Sequence, residues 1–165
     1  MQLLVVRHAI ACVRNARRWP DDRERPLSSA GAQRAHRAAR GLKQFAPRPG
    51  CVLTSPLTRA RQTAAILHAS AGWPAAVACA ALAPGTSPRT VLAILRRRKH
   101  AVIAVVGHQP DLGQLLAACL GGERAWVALE LRKPAVACLG FAGGARAGGA
   151  TLRWLVPPRL LRALS

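Results

Sequence analysis

Short runs, apolar but for Gln2, Thr54 and Ser55 at their ends, recur along the chain at residues 2–6, 51–55 and 101–106, each leading into a polar loop and then an amphipathic stretch. A run without a polar position suits a strand covered on both faces, because no side of it is left for water. The stretches between them follow a helical period. Residues from about 30 to 45 place Ala35, Ala39 and Leu42 on one face and Arg34, Arg37, Arg40 and Lys43 on another, with Ser28 or Ser29 to cap the start and "PRPG" to end it. Further helices are predicted at 57–71, 87–98 and about 111–120. The result is a βαβ alternation, the signature of α/β layering. The last third reads differently: "AVACLGF" and "TLRWLV" flank the Gly-rich "AGGARAGGA", which predicts a hairpin or a looser loop, and a short helix follows Pro158.

Composition narrows this picture. The 165 residues are one ordinary domain's worth of chain, so a single domain over 1–165 is expected, with a core needing no metal or disulfide staple. Hydrophobic residues make up 51% and aromatics 4%, so that core is built from Ala, Val, Leu and Ile. The five cysteines are odd in number, widely spaced and form no CxxC pair, which reads as reduced, buried small hydrophobes in a cytoplasmic protein. The N-terminus has no basic leader, and Arg7 and His8 interrupt its apolar run, so neither a signal peptide nor a membrane span is expected.

Charge changes the picture more. Lys and Arg number 25 against six Asp and Glu, a net +19, which implies an anionic partner. A nucleic-acid-binding module is one reading of that charge. The basic residues are dispersed, however, and the Trp and Phe residues are not interleaved with them as stacking platforms, so nucleic acid is the less favoured partner.

Three predicted strands end in polar residues: "VRH", "LTSPLTR" and "VGHQP". Ligands of open α/β sheets bind beyond the carboxyl ends of the strands. Arg7 and Arg59 there offer forked donors for a phosphate, while His8 and His108 can serve as nucleophile, acid or donor. Two arginines and two histidines around one point make a phosphoryl-transfer site without metal. The other histidines, His36, His68 and His100, read as solvated or helix-flanking. Ser55 and Thr63 read as residues that shape and pack the loop and helix, and Asp111 as part of a helix N-terminus.

At these residues the chain resembles the histidine phosphatase superfamily, the phosphoglycerate-mutase-like fold. "VVRHAIA" is similar to the family's Arg-His-Gly signature, "SPLTRARQTA" to its Ser-Pro-x-x-Arg-x-x-x-Thr segment and "VVGHQP" to its second histidine. The short length, "ERPLSSAG" at 24–31 and the lack of an inserted cap resemble the SixA-type phosphohistidine phosphatases. The resemblance implies a three-layer α/β/α sandwich with a mostly parallel central sheet. It also implies that His8 becomes phosphorylated, that Arg7 and Arg59 hold the phosphoryl oxygens, and that His108 completes the pocket, with no metal or cofactor. The implied substrate is phosphohistidine on a signalling or phosphotransfer protein, such as a histidine phosphotransfer domain. The alternative is a small sugar phosphate or other anionic phosphate ester.

Two positions depart from the pattern. Ala9 stands where the signature has Gly, so a backbone with positive φ there would be strained by the methyl, and a small shift is expected. Relatives acting on alkyl phosphates carry a glutamate proton donor near the positions of 81–86, where this chain reads "ALAPGT", and no Asp or Glu occurs from residue 25 through 110. Asp21, Asp22 and Glu24 read first as a solvated charge run; of these, Asp22 is the candidate proton donor.

Overall fold

A computed structural model describes residues 1–122 and 128–165. The elements, in chain order, are β1 (Gln2–Arg7), α1 (Ser29–Lys43), β2 (Cys51–Thr54), α2 (Thr58–Ala71), β3 (Val77–Ala78), α3 (Pro88–Arg96), β4 (Val102–Gly107), α4 (Asp111–Gly121), β5 (Val136–Phe141), β6 (Ala150–Val156) and α5 (Pro158–Ala163). Single 3₁₀ turns lie at Asp22–Glu24 and Ala80–Leu82. The strands form one six-stranded sheet in the order β3-β2-β4-β1-β5-β6. β1 to β4 are parallel, β5 is antiparallel to β1, and β6 to β5, so the Gly-rich connection does join a hairpin.

Alternation along the apolar strands divides the core between two faces. Leu3, Val5, Leu53, Ile103 and Val105 pack with Leu92 and Leu95 of α3 and Leu112, Leu115 and Leu116 of α4. Leu4, Val6, Val52, Ala104 and Val106 point the other way, onto Ala35, Ala39 and Leu42 of α1, Ala60, Ala64 and Leu67 of α2, and Leu161 of α5. Both faces of the sheet are thus covered by helices. This is why these strands carry no polar alternation.

Local chemistry explains where the helices start. Ser28, not Ser29, caps α1, its side chain accepting from the Gly31 N–H at 3.0 Å. Gly31 also lets α1 abut the loop after β1, since a Cβ there would collide with the Ile10 carbonyl oxygen. Ser87 caps α3 with Pro88 in its first turn, and Gly72, at φ 72°, ends α2 in the left-handed conformation. α1 ends at Lys43, earlier than the pattern predicts, and Phe45 leaves the helix to meet Trp154 edge-on, with ring centroids 5.3 Å apart. The two-residue β3 is too short to leave a pattern in the sequence.

All five cysteines are free thiols, as the spacing predicts. Only Cys119 and Cys138 are buried; Cys12, Cys51 and Cys79 are half-exposed, which corrects the reading of all five as core residues. Burial pushes the Cys119 thiol up to about 12, so it behaves as an inert apolar side chain. Among the described residues no helix is long and apolar enough to cross a membrane.

Candidate active site

Because β1, β2 and β4 are parallel, their carboxyl ends share one edge of the sheet. Arg7 pairs with Gly107 in the β1–β4 register, and the next residues, His8 and His108, lie side by side with ring centroids 4.9 Å apart. The His8 N–H donates to the Gly107 carbonyl at 3.0 Å and the Ser55 N–H to that of Val106 at 2.9 Å, so the three strand ends are stitched together. α2 starts directly after the buried Leu57 and carries Arg59 in its first turn. Thr63, one turn on, donates to the Arg59 carbonyl at 2.7 Å and accepts from the Ala9 N–H at 3.0 Å. It thereby ties the His8 loop to the helix that bears Arg59, which is the packing role predicted for it. His8, Arg59 and His108 are all buried.

Each ring nitrogen has a determinable role. His8 Nδ1 lies 2.6 Å from the Ala9 carbonyl oxygen. A carbonyl only accepts, so Nδ1 carries the hydrogen and Nε2 keeps its lone pair. Burial, with the charges of His108, Arg59 and Lys133 behind it, pushes His8 down to about 3, against which the Ala9 hydrogen bond acts as a partial offset. Its neutrality therefore comes from burial before charge. Ala9 is not strained: among the described residues no residue other than glycine has a positive φ.

His108 Nε2 lies 2.8 Å from Ser55 Oγ, and Ser55 Oγ accepts from the Leu57 N–H at 3.3 Å. The Ser55 hydroxyl hydrogen is then free to donate to Nε2, which places the proton of a neutral ring on Nδ1. Burial first, then Arg59 and Arg7, hold His108 down at about 4. Ser55, fully buried, is thus part of the site and not only a shaper of the loop. Its position at a strand end just before Pro56 was the available signal.

Arg7 Nε, Arg59 Nε and His108 Nδ1 are buried without a hydrogen-bond partner. The outer edges of both guanidinium groups are, by contrast, anchored. Arg7 Nη1 donates to the Leu131 carbonyl and lies 3.8 Å from the exposed Glu130 carboxylate. Arg59 Nη1 donates to the Asp22 carbonyl at 2.8 Å, and Nη2 lies 3.3 Å from Asp22 Oδ2. A buried donor left unmade costs about 1–3 kcal/mol, so three on neighbouring residues call for an acceptor with several oxygens. A tetrahedral oxyanion has that form.

Asp22 reaches this site through Arg59. Its Oδ1 accepts from Arg25 Nε at 2.8 Å, and Arg14 Nε lies 3.7 Å away. The Arg25 hydrogen bond, followed by the charges of Arg25, Arg59 and Arg14, holds the carboxyl below the usual carboxylate range. A carboxyl held toward its ionised form is a poorer proton donor, and the contacts make Asp22 an anchor for Arg59. The loop around 81–86 is tied down by Asp111, which accepts from the Gly85 N–H at 3.1 Å from the first turn of α4. A hollow of about 770 Å³ between the start of α3 and α4, lined by Pro88, Gln109, Gly113 and Leu129, includes Glu130 but none of Arg7, His8, Arg59 and His108.

The two depressed histidines make stability depend on pH. Unfolded, each titrates near 6.5; folded, near 3 and 4, so between these values the unfolded chain binds more protons. Their full contribution is present above pH about 6.5 and is lost as pH falls toward 4. Urea midpoints are expected to drop across that window, and a His8→Ala, His108→Ala double variant to show a flatter profile. Equal pH slopes would contradict the burial of neutral rings.

Comparison with known proteins places this geometry. The family model of the histidine phosphatase superfamily (branch 1) matches residues 3–81, a span that holds Arg7, His8 and Arg59. An uncharacterised protein of Picosynechococcus sp. is 40% identical over 126 residues, covering 74% of this chain and 75% of the relative. The solved structure of the protein histidine phosphatase SixA with tungstate superposes with a TM-score of 0.83 at 27% identity, covering 98% of this chain and 99% of that one. The chain belongs to the histidine phosphatase superfamily. It is of the SixA type, and it is a phosphatase. The α-ribazole phosphatase of Shigella flexneri shares the fold at 17% identity, with a TM-score of 0.66 over 96% of this chain and 97% of that one. The mostly parallel sheet between helical layers is the phosphoglycerate-mutase-like arrangement that the motifs imply.

Proposed function

We propose that this chain is a metal-independent phosphohistidine phosphatase that works through a phosphorylated His8. The observation that carries the reading is the set of three unpartnered buried donors, Arg7 Nε, Arg59 Nε and His108 Nδ1, beside a histidine held neutral. His8 Nε2 attacks phosphorus as the bond to the leaving nitrogen breaks, and the departing imidazole takes up a proton. The three donors bind the non-bridging oxygens, on which charge is spread as the bonds exchange. Water then attacks the phosphohistidine on the same face, releases phosphate and frees His8 for another turn. The arginines supply the positive charge that a metal would otherwise supply. The Ala9 carbonyl stabilises the His8 ring as it becomes cationic, and Asp22 keeps Arg59 aimed.

Two further features favour a protein substrate in a reducing compartment. The solved SixA structure is that of a protein histidine phosphatase, and the net charge of +19 suits an acidic phosphoprotein. Five free cysteines fit the cytoplasm. A histidine-phosphorylated phosphotransfer domain, incubated with the purified chain in excess EDTA, is expected to lose its phosphate in step with enzyme added. If the domain kept its phosphate while a small phosphate ester was hydrolysed, the small-ester alternative would replace this reading. Activity lost in EDTA and restored by a divalent metal would end metal independence.

A further inference from the structure

Another cation reaches the same edge of the sheet from a part of the chain in which the sequence shows no motif. β5 runs antiparallel to β1 with Val136 opposite Val6, so the residues just before Val136 lie at the end of the sheet where Arg7 and His8 emerge. Two contacts fix this segment on Arg7. Its backbone N–H donates to the Ala135 carbonyl at 3.2 Å, and its guanidinium to that of Leu131. Lys133 sits between these two anchors, half-buried, with Leu131, Pro134 and Ala135 buried around it.

The surroundings of Lys133 are unusual for a lysine. Among the described residues its ammonium makes no hydrogen bond and no ion pair. The nearby carboxylates are engaged elsewhere, Asp22 with Arg14, Arg25 and Arg59, and Glu130 with Arg7. Burial, then the charges of Arg7, Arg25 and Arg59, lower its pKa, and its own charge helps to keep His8 neutral. A partly desolvated cation beside three arginines is repelled by them, and among the described residues no anionic group offsets the repulsion. An anion between them would.

We propose that Lys133 is a further ligand for the phosphoryl oxygens, completing a cationic cage with Arg7 and Arg59; the inference rests on the phosphatase reading above. The two kinds of ligand differ in what they can do. Arg7 and Arg59 are pinned at their outer edges and present fixed donors, whereas Lys133 is a point charge on a flexible, unanchored stem. It can stay with the oxygens as phosphorus moves from the leaving atom to His8 Nε2.

The probe is tungstate, titrated calorimetrically into the wild-type full chain and into Lys133→Met, Lys133→Arg and Arg59→Lys variants, which separates binding from turnover. Lys133→Met is expected to bind about 10- to 100-fold more weakly, with thermal stability no lower than wild type because a repelled charge has gone. Lys133→Arg should recover most of the affinity. Wild-type affinity should fall with rising pH at lower pH than an ordinary lysine would dictate, while Lys133→Arg stays flat there, a difference that a purely structural role would not produce. Wild-type affinity in Lys133→Met, with Arg59→Lys weakened, overturns the Lys133 inference alone. Unchanged binding in Arg59→Lys as well overturns the site itself. Should Lys133→Met not fold, the pH profiles of wild type and Lys133→Arg decide: parallel profiles refute the proposal.

Discussion

His8→Ala is expected to hydrolyse no substrate detectably, a loss of about 10⁴-fold or more, and to form no phosphoenzyme, while remaining folded. The size of the effect follows from the division of labour in the site. Arg7, Arg59 and His108 can hold and polarise a phosphoryl group, but His8 Nε2 is the nitrogen with a free lone pair beside them, since His108 Nε2 is engaged by Ser55. Without it the reaction needs direct attack by water, which lacks both the nucleophilicity of imidazole and its fixed position. The measurement is a labelled substrate, a rapid quench under alkaline conditions that preserve a phosphoramidate, and mapping of the label. Wild type should carry it on His8. Substantial activity in the variant, or label on His108, would sink the mechanism.

The second large effect is a ranking of leaving groups. An alkoxide needs a proton as its P–O bond breaks, and a positioned general acid contributes about 10²–10⁴-fold to such a step. Segment 81–86 carries no carboxyl, and Asp22 is held ionised by Arg25. The imidazole of a phosphohistidine leaves without that help, because its ring can take a proton from solvent, and an activated phenolate departs without any. On one preparation, kcat/KM should therefore rank a phosphohistidine protein and p-nitrophenyl phosphate well above an alkyl monoester such as 3-phosphoglycerate. Asp22→Asn refines the test. As an anchor for Arg59 its loss should slow all three substrates alike, whereas selective loss of alkyl-ester turnover would restore it as the acid. An alkyl ester turned over fastest would transfer the reading to metabolite hydrolysis.

The layered fold, and the meeting of Arg7, His8 and His108 at one edge of it, follow from local pattern alone. Apolar runs alternating with helices are doubly covered strands, and residues at the carboxyl ends of parallel strands share an edge; this is why Arg7, His8 and His108 come together from two separate stretches. Arg59 was legible because it lies one helical turn before Thr63 in a dense motif. Features that depend on atoms meeting from distant segments leave no such local trace. The protonation of the histidines follows from burial and from the Ala9 carbonyl, which no spacing reveals. The closing of Arg25 and Arg59 on Asp22 is likewise invisible in the sequence, and the chemistry of a carboxyl is set by such neighbours. Lys133 has no motif around it. Its approach to Arg7 exists because β5 enters the sheet antiparallel beside β1, and strand direction is a property of the whole sheet, not of the local sequence.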